Sequence, residues 1–279
     1  MRIVITGADG QLGRALVRRA GGHDVVALGF LELDVRSSGA RDAVADLRPE
    51  VVINCAAITD VDGCEADPDE AFAVNALGAR NVALGAALAG ADLVQVSTDY
   101  VFDGAKQSPY WEFDTPCPIN AYGASKLAGE QLTTAVWRRM FIARTAWLYG
   151  LGGSNFVSRI LRLAAERPEL SIVDNEYGSP TFCDDLADAL LALAATGAYG
   201  TYHLAGDGVC SRYDFARTIL DHAGLTDYPI QPVDQFPRAA RPPAYAPLRN
   251  FAAARLGIRL DPWQAGFRRF VERGGLADR

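Results

Sequence analysis

Side chains that bind metal ions are scarce and scattered in this chain of 279 residues. The three histidines, His23, His203 and His222, are far apart in the sequence. The five cysteines form no C-x-x-C pair; they are Cys55, Cys64, Cys117, Cys183 and Cys210. This pattern disfavours both a zinc site and a disulfide framework. We therefore predict reduced thiols, no bound metal and a cytoplasmic protein.

An excess of basic residues is also missing. The sequence has 27 Lys and Arg against 34 Asp and Glu, and the resulting net charge of −7 disfavours a nucleic-acid partner. No run of about 18 apolar residues predicts a membrane span, and the N-terminus lacks the apolar region of a signal peptide. The hydrophobic share of 49% is ordinary for a globular protein. We therefore predict that the protein binds neither nucleic acid nor a membrane.

The first distinctive feature present is a glycine-rich turn between a strand and a helix. Residues 2–6 predict a buried strand, residues 14–20 predict a helix, and between them stands Gly7-Ala8-Asp9-Gly10-Gln11-Leu12-Gly13. Glycines allow a tight turn and close backbone approach, and a helix N-terminus attracts phosphate. The G-x-x-G-x-x-G spacing is one residue longer than the usual dinucleotide fingerprint. We interpret this turn as the seat of a dinucleotide pyrophosphate.

Strands and helices alternate through the first 150 residues. Further strands are predicted at residues 24–28, 51–54, 93–97 and 140–144, each preceded by a helical segment. This alternation predicts an α/β fold with a doubly wound parallel sheet of the Rossmann type.

After residue 150 the alternation loosens. We predict a dinucleotide-binding domain over residues 1–150 that is rejoined by about 170–196. A smaller C-terminal substrate-binding domain would take most of residues 151–279 and interleave with the first. The proline-rich segment 231–247 is predicted to be an irregular covering loop.

The second predicted strand ends in glycine and phenylalanine rather than in an acid. An acid there would bind the adenosine ribose hydroxyls of NAD and repel the extra phosphate of NADP. Its absence favours NADPH, with NADH still possible, and makes Arg14 or Arg36 a candidate phosphate partner. Asp34 would accept from the adenine amino group or, alternatively, cap a helix at residues 38–47.

Residues suited to a ligand follow the third and fourth strands. Cys55-Ala56-Ala57 are small enough for a cofactor to lie against the backbone. Thr98-Asp99-Tyr100 stand at the carboxyl end of the fourth strand, where ligands collect in open α/β sheets. Asn75, in the middle of a long predicted helix, is expected to bond locally or to face solvent.

A helix that begins near Asn120 carries Tyr122 and Lys126 four residues apart and therefore on one face. A free tyrosine has a pKa of about 10, too high for efficient proton transfer at neutral pH. A cation within roughly 4–6 Å would lower that pKa by about 1–3. Alone, the pair could also belong to an ordinary exposed helix.

In combination, these motifs resemble the extended short-chain dehydrogenase/reductases and, within them, the dTDP-4-dehydrorhamnose reductases. The resemblance runs from residue 2 to about residue 265. It rests on residues 7–13, 97–104, 122–130, 144–150 and 178–181 and on Arg241-Pro242.

The resemblance implies that a hydride from NAD(P)H reduces C4 of a nucleotide-linked 4-keto-6-deoxyhexose. The first expectation is dTDP-4-dehydro-L-rhamnose, which becomes dTDP-L-rhamnose. Tyr122 would be the acid, and Lys126 would lower its pKa and hold the nicotinamide ribose. Thr98 would hydrogen-bond the substrate oxygen and the phenol, because the alkoxide formed by hydride addition needs stabilisation.

The same resemblance gives two sets of binding residues. The predicted cofactor-binding residues are Gly7, Asp9, Gly10, Gln11, Leu12, Gly13, Asp34, Val35, Cys55, Ala56, Ala57, Thr59, Tyr122 and Lys126. The predicted substrate-binding residues are Thr98, Asp99, Tyr100, Tyr122, Trp147, Asn155 and Arg241. Trp147 either faces the deoxysugar or packs in the core. Asn155 and Arg241, with Arg238 as a weaker candidate, would meet the diphosphate.

Several alternatives bear on this interpretation. Related sugar-nucleotide dehydratases carry Thr-Asp-Glu, and the phenol of Tyr100 cannot replace that carboxylate base, so dehydration is disfavoured. The missing acid after the second strand argues mildly against a C4 epimerase, which would bind NAD tightly. A reductase for another dTDP-deoxysugar, or a non-catalytic cofactor-binding regulatory subunit, stays open.

The resemblance also bears on assembly. Some relatives form dimers bridged by magnesium through an acid on the first helix, but residues 14–19 contain no carboxylate. We therefore predict no structural metal, and either a monomer or a homodimer.

Overall fold

The computed structural model describes residues 1–276, which form one large sheet and three small ones. The strands are β1 Arg2–Thr6, β2 Asp24–Leu28, β3 Val51–Asn54, β4 Asp92–Thr98, β5 Met140–Thr145, β6 Leu148–Tyr149, β7 Leu170–Val173, β8 Tyr177–Gly178, β9 Thr181–Phe182, β10 Gly200–His203, β11 Cys210–Ser211 and β12 Ile230–Val233. The large sheet has the order β10-β5-β4-β3-β1-β2, and each neighbouring pair is parallel. The predicted α/β fold with a parallel Rossmann-type sheet is confirmed.

Helices cover both faces of this sheet. They are α1 Gln11–Arg19, α2 Ala40–Asp46, α3 Val61–Ala66, α4 Pro68–Phe72, α5 Ala79–Ala89, α6 Ala121–Val136, α7 Phe156–Glu166, α8 Cys183–Ala194, α9 Arg212–His222, α10 Phe251–Arg255 and α11 Trp263–Glu272. Helices α1 and α8 pack together on one face, and α2, α5 and α6 pack on the other. Both faces of β1 are therefore buried. Ile3 and Ile5 belong to the cluster of core residues on one face of the sheet, and Val4 belongs to the cluster on the other face.

The strand order reverses beside β1, which lies between β2 and β3. Such a reversal opens a crevice outside the carboxyl ends of the strands, and this is where ligands bind in α/β proteins. The glycine turn follows β1 and Cys55 follows β3, while a 3-10 turn, Asp99–Val101, follows β4. The topology therefore brings three of the predicted ligand-binding segments to one crevice.

Beyond residue 150 the chain builds a second core. The small sheets pair β6 with β9, β7 with β12 and β8 with β11. The buried ring of Tyr149 contacts the rings of Phe182, Phe215, Phe267 and Phe270. Helix α8 and strand β10 return to the large sheet, whereas β7 pairs outside it. The division of the chain into two domains stays a prediction.

The prediction of an irregular segment at 231–247 is wrong at its beginning. Strand β12 pairs in parallel with β7, and its residue Pro232 lies in that pairing. Proline cannot donate a hydrogen bond, but among residues 1–276 β12 has a neighbour on one side only, so the missing donor can face away from the sheet.

Pro68–Ala89 is one continuous helix of 22 residues that includes α4 and α5, and it is long and apolar enough to cross a membrane by composition. Half of its most apolar stretch is buried within the fold. Its α5 segment packs against α2, α6 and β4. These contacts are those of a core helix.

Candidate active site

A cavity of about 380 Å³ lies in the crevice where the strand order reverses. Many of the predicted site residues line it: Gly7, Gly10, Gln11, Leu12, Gly13, Cys55, Ala57, Thr59, Thr98, Asp99, Tyr100, Tyr122, Lys126, Trp147 and Asn155. It is also lined by residues that were not predicted: Val61, Val96, Ser97, Thr145, Ala146, Leu148, Ser154 and Arg212. The predicted residues Asp9, Asp34, Val35, Ala56 and Arg241 are not part of this lining.

The glycine turn forms a cradle that leaves no space for side chains. Gly7 has a φ of +63°, and a Cβ added to it would lie 2.6 Å from the backbone nitrogen of Ala56. A Cβ on Gly13 would lie 2.3 Å from the carbonyl oxygen of Gly7. Gly10 caps α1 without a side chain. The N-terminus of α1 is thus open to a phosphate group, so the residues present fit a dinucleotide pyrophosphate.

Helix α6 brings Tyr122 to the carboxyl end of β4 through close backbone contact. Its cap, Asn120, accepts a hydrogen bond from the backbone N–H of Gly123 at 2.8 Å. A Cβ on Gly123 would lie 2.1 Å from the carbonyl oxygen of Tyr100, so only glycine permits this approach. The rings of Tyr100 and Tyr122 then meet edge to face at 5.4 Å between centroids.

The three predicted catalytic residues lie together in the cavity. Thr98, Tyr122 and Lys126 are all buried, and all three line the cavity. The Lys126 ammonium donates to the carbonyl oxygen of Val96 at 2.8 Å. Because Val96 and Thr98 belong to β4, the lysine and the threonine are held by the same strand.

The predicted lowering of the Tyr122 pKa by Lys126 is not found in this structure. Burial raises the pKa of the phenol, and the neighbouring Thr98 hydroxyl opposes this only in part. The charge of Asp99 raises the Tyr122 pKa further. Burial also lowers the pKa of Lys126 to about 8, although the Glu130 carboxylate opposes that effect. Desolvation is therefore the largest effect on the pKa of both groups.

Asp99 is a second acid in the cavity. It is 2% exposed, and its Oδ1 accepts from the Thr98 hydroxyl at 3.0 Å. Its Oδ2 has no hydrogen-bond partner among residues 1–276. Burial raises the pKa of this carboxyl to about 7, against the hydrogen bond from Thr98 and the charge of Arg212. Near neutral pH the group can therefore exist in either protonation state.

The expectation that Asn75 bonds locally or faces solvent is wrong. This residue lies in a π-helical turn, Ala73–Gly78, between α4 and α5, and its side chain is buried. It accepts from the N–H of Ile58 at 2.9 Å and donates to the carbonyl of Ile58 at 3.1 Å. It also donates to the hydroxyl of Ser125 at 3.0 Å. Asn75 thus ties the loop after β3 to the turn of α6 that separates Tyr122 from Lys126.

The predicted substrate residues have different surroundings. Asn155 caps α7 by accepting from the N–H of Ser158 at 3.1 Å, and it donates to Gln11 in the glycine turn at 2.9 Å. The side chain of Arg241 is exposed, and its backbone carbonyl accepts from Asn120 at 2.8 Å. The weaker candidate Arg238 pairs with Asp62.

Trp147 is held in an unusual backbone conformation. Its φ of +46° lies in the left-handed region that few side chains adopt. A Cβ on Gly178 would lie 2.2 Å from Cε2 of the indole, so the ring packs directly on the backbone of β8. The guanidinium of Arg212 covers the ring at 3.5 Å.

The groups predicted to bind the adenosine end are engaged with other residues of the chain. Arg36 pairs with Asp34 and with Glu70, and the pairing with Arg36 lowers the pKa of Asp34. Asp34 accepts from the N–H of Arg36 and does not cap α2. Arg14 donates to the carbonyl of Gly152 at 2.8 Å.

The end of β2 has acids that the sequence alone did not reveal there. The Asp9 carboxylate accepts from the N–H of Phe30 at 3.3 Å, and the Glu32 carboxylate accepts from the N–H of Gly29 at 2.9 Å. The buried residue Val35 packs against Gly78, where an added Cβ would lie 2.6 Å from the valine.

Comparison with known proteins shows which family this chain resembles. A family model described as the RmlD substrate binding domain matches residues 1–275. The dTDP-4-dehydrorhamnose reductase of Mycobacterium tuberculosis is 43% identical over 267 residues, 92% of this chain and 88% of that protein. The spore coat polysaccharide biosynthesis protein SpsK of Bacillus subtilis is 37% identical over 99% of both chains.

A solved structure is similar over nearly its whole length. The dTDP-4-dehydrorhamnose reductase of Bacillus anthracis, crystallised in complex with NADP, has a TM-score of 0.94 and 41% identity to this chain. The match covers 98% of this chain and 99% of that one.

Proposed function

This chain belongs to the family described as the RmlD substrate binding domain, and from that membership we infer that it is an NADPH-dependent dTDP-4-dehydrorhamnose reductase. It reduces the C4 ketone of dTDP-4-dehydro-L-rhamnose to the alcohol of dTDP-L-rhamnose. The predicted membership of the extended short-chain dehydrogenase/reductases, in the dTDP-4-dehydrorhamnose reductase family, is confirmed. NADPH is the cofactor, as predicted. The reason given for that prediction, the absence of an acid at the end of β2, does not hold, because the Asp9 and Glu32 carboxylates lie there.

One observation of the structure carries the assignment of roles: Thr98, Tyr122 and Lys126 lie in the same cavity as the glycine cradle. Gly7, Gly10 and Gly13 would hold the cofactor pyrophosphate against the N-terminus of α1. When bound, NADPH supplies the hydride for the ketone carbon. The remaining catalytic work is to stabilise and protonate the oxygen that becomes negative.

Tyr122 is the proposed proton donor to that oxygen. Because burial raises its pKa, the phenol is protonated at neutral pH, as an acid must be at the start of the reaction. The Thr98 hydroxyl, which donates to Asp99 Oδ1 in the structure, would turn from that acceptor to donate to the same oxygen. Lys126, one helical turn from Tyr122, offers a positive charge to the phenolate that is left after proton transfer.

The neighbouring side chain at residue 100 supports reduction over dehydration. Tyr100 is a buried phenol whose pKa is raised by burial. At neutral pH it therefore cannot replace the carboxylate that serves as the base in the related dehydratases. The proposed partner is a dTDP-sugar, and the protein acts in the cytoplasm as a monomer or homodimer, without a nucleic-acid or membrane partner.

The test is the consumption of NADPH, followed at 340 nm, on addition of dTDP-4-dehydro-L-rhamnose. We expect Tyr122→Phe to lower kcat by about 10²–10⁴, the usual contribution of a positioned acid. Tyr228→Phe is the matched control, because that hydroxyl donates to the carbonyl of Arg167 away from the cavity.

Wild-type protein that leaves NADPH unchanged would contradict the proposal. A stoichiometric protein partner in a pull-down, together with this inactivity, would instead support the regulatory-subunit alternative. Turnover only with another dTDP-4-keto-deoxysugar would correct the substrate and keep the reaction.

A further inference from the structure

Arg212 is the one arginine among the described residues that line the cavity. Lys126 is the one lysine of that lining, and its ammonium is engaged with the carbonyl of Val96. Arg212 is the first residue of α9 and follows directly on β11. Its backbone N–H donates to the carbonyl of Glu176 at 3.1 Å, beside the pairing of β11 with β8.

The side chain of Arg212 is held on two sides. Its guanidinium lies 3.5 Å from the centre of the Trp147 ring, and its Nε lies 3.5 Å from a carboxylate oxygen of Glu176. The two charged side chains are only 18% and 15% exposed. Stacking and pairing fix the plane of the guanidinium before any ligand binds, which reduces the entropy lost on recognition.

The two terminal nitrogens of the Arg212 guanidinium remain available as hydrogen-bond donors to a ligand. The ion pair with Glu176 runs through Nε of Arg212, and within residues 1–276 no hydrogen bond is found from either of its terminal nitrogens. A guanidinium with two parallel free N–H groups matches the oxygens of a phosphate. Arg212 is also close enough to Asp99 and Tyr100 for its positive charge to lower the pKa of both groups, against the effect of burial.

We propose that Arg212 binds the diphosphate of the sugar nucleotide at the phosphate attached to the sugar, with Trp147 and Glu176 positioning its guanidinium. A dTDP-sugar brings negative charge into a mostly buried cavity, and that charge requires a cation. Arg212 is placed to supply it, whereas the side chain of Arg241 is exposed outside the lining. This inference rests on the proposed function, because it takes a dTDP-sugar as the ligand.

The experiment compares calorimetric affinities for dTDP and dTMP, which differ by the phosphate that Arg212 would contact. In the wild type we expect dTDP to bind at least about tenfold more tightly than dTMP, as charge-assisted hydrogen bonds warrant. In Arg212→Gln the two affinities should become nearly equal, through loss of dTDP binding alone. Arg212→Lys keeps the charge without the fork, so it should fall between the two.

Two measurements separate this role from a general loss of structure. The affinity for NADPH should be the same in Arg212→Gln and in the wild type. Arg249→Gln is the matched control, because Arg249 also stacks on an indole, that of Trp111 at 3.9 Å, but is exposed and does not line the cavity. Its preference for dTDP should equal that of the wild type.

The outcomes are distinct. An unchanged dTDP preference in Arg212→Gln, with an active wild type, overturns this inference and leaves the proposed function standing. Equal loss of dTDP, dTMP and NADPH binding also overturns it, because that result indicates a structural role. Wild-type protein that does not bind dTDP overturns both the inference and the proposed function.

Discussion

Replacement of Asp99 by asparagine should make the stability of this protein less dependent on pH. The Asp99 side chain is 2% exposed, and one of its oxygens accepts a hydrogen bond from Thr98 at 3.0 Å. The other oxygen has no partner among the described residues. Asparagine has nearly the same shape and keeps the accepting oxygen, but it cannot ionise.

The magnitude follows from the pKa of the carboxyl in the folded and unfolded chains. Burial raises the pKa of Asp99 from its ordinary 3.8 to about 7. Between these values the folded state binds a proton that the unfolded state has lost, so stability falls as pH rises from about 4 to about 7. Above pH 7 the full cost is reached, about 4 kcal/mol. Asp99→Asn removes this cost.

The assay is urea unfolding, followed by tryptophan fluorescence at pH 5 and pH 8, for wild type and variant. The free energy of unfolding of Asp99→Asn, minus that of the wild type, should rise by about 3 kcal/mol between the two pH values. Asp227→Asn, which changes an exposed carboxyl in a loop, should give no such rise. A difference between Asp99→Asn and wild type that is the same at both pH values would refute the reasoning.

Three further substitutions test other parts of the structure. Gly178→Ala places a Cβ 2.2 Å from the Trp147 ring and should cost about 1–3 kcal/mol, seen in calorimetry as a lower Tm. The matched control is Gly21→Ala, where the added Cβ meets no atom within 4 Å and φ is not positive. A Tm of Gly178→Ala equal to that of the control would contradict this packing. Arg144→Met leaves the buried Glu130 carboxylate without its bidentate partner and should lower the free energy of unfolding by about 3–5 kcal/mol, so a change below 1 kcal/mol in urea titrations would count against it. Lys126→Met should lower kcat at least about 100-fold. Because burial lowers the Lys126 pKa from 10.5 to about 8, wild-type stability should rise between pH 8 and pH 10 relative to this variant, and parallel profiles would speak against it.

Much of the fold could be predicted because local sequence signals agree with it. Continuous apolar strands such as Val51–Asn54 predict burial on both faces of the sheet. The glycine turn after β1 predicts a close approach of the backbone to a ligand. Strand β12 was not predicted because it contains a proline, and only its pairing with β7 makes it a strand. That pairing joins segments about 60 residues apart and has no local signal.

The candidate site, like the fold, could be predicted from the sequence only in part. Thr98, Tyr122 and Lys126 carry local signals, namely the end of a strand and a spacing of four on one helix. Arg212 reaches Trp147 through the pairing of β8 with β11, so nothing near it in the sequence marks it. Asn75 could have been suspected as the polar residue on an otherwise apolar stretch of helix, but its partners Ile58 and Ser125 are known only from the structure.

The most direct test of the central claim follows the hydrogen that reaches the sugar. The purified protein is given dTDP-4-dehydro-L-rhamnose and NADPH in which both hydrogens at C4 of the nicotinamide are deuterium, and the product is examined by mass spectrometry and NMR. We predict one deuterium, bonded to C4 of the sugar in dTDP-L-rhamnose, and none at that carbon when only the solvent is deuterated. A product without this deuterium, or with deuterium at C4 taken from the solvent, would contradict hydride transfer in this cavity.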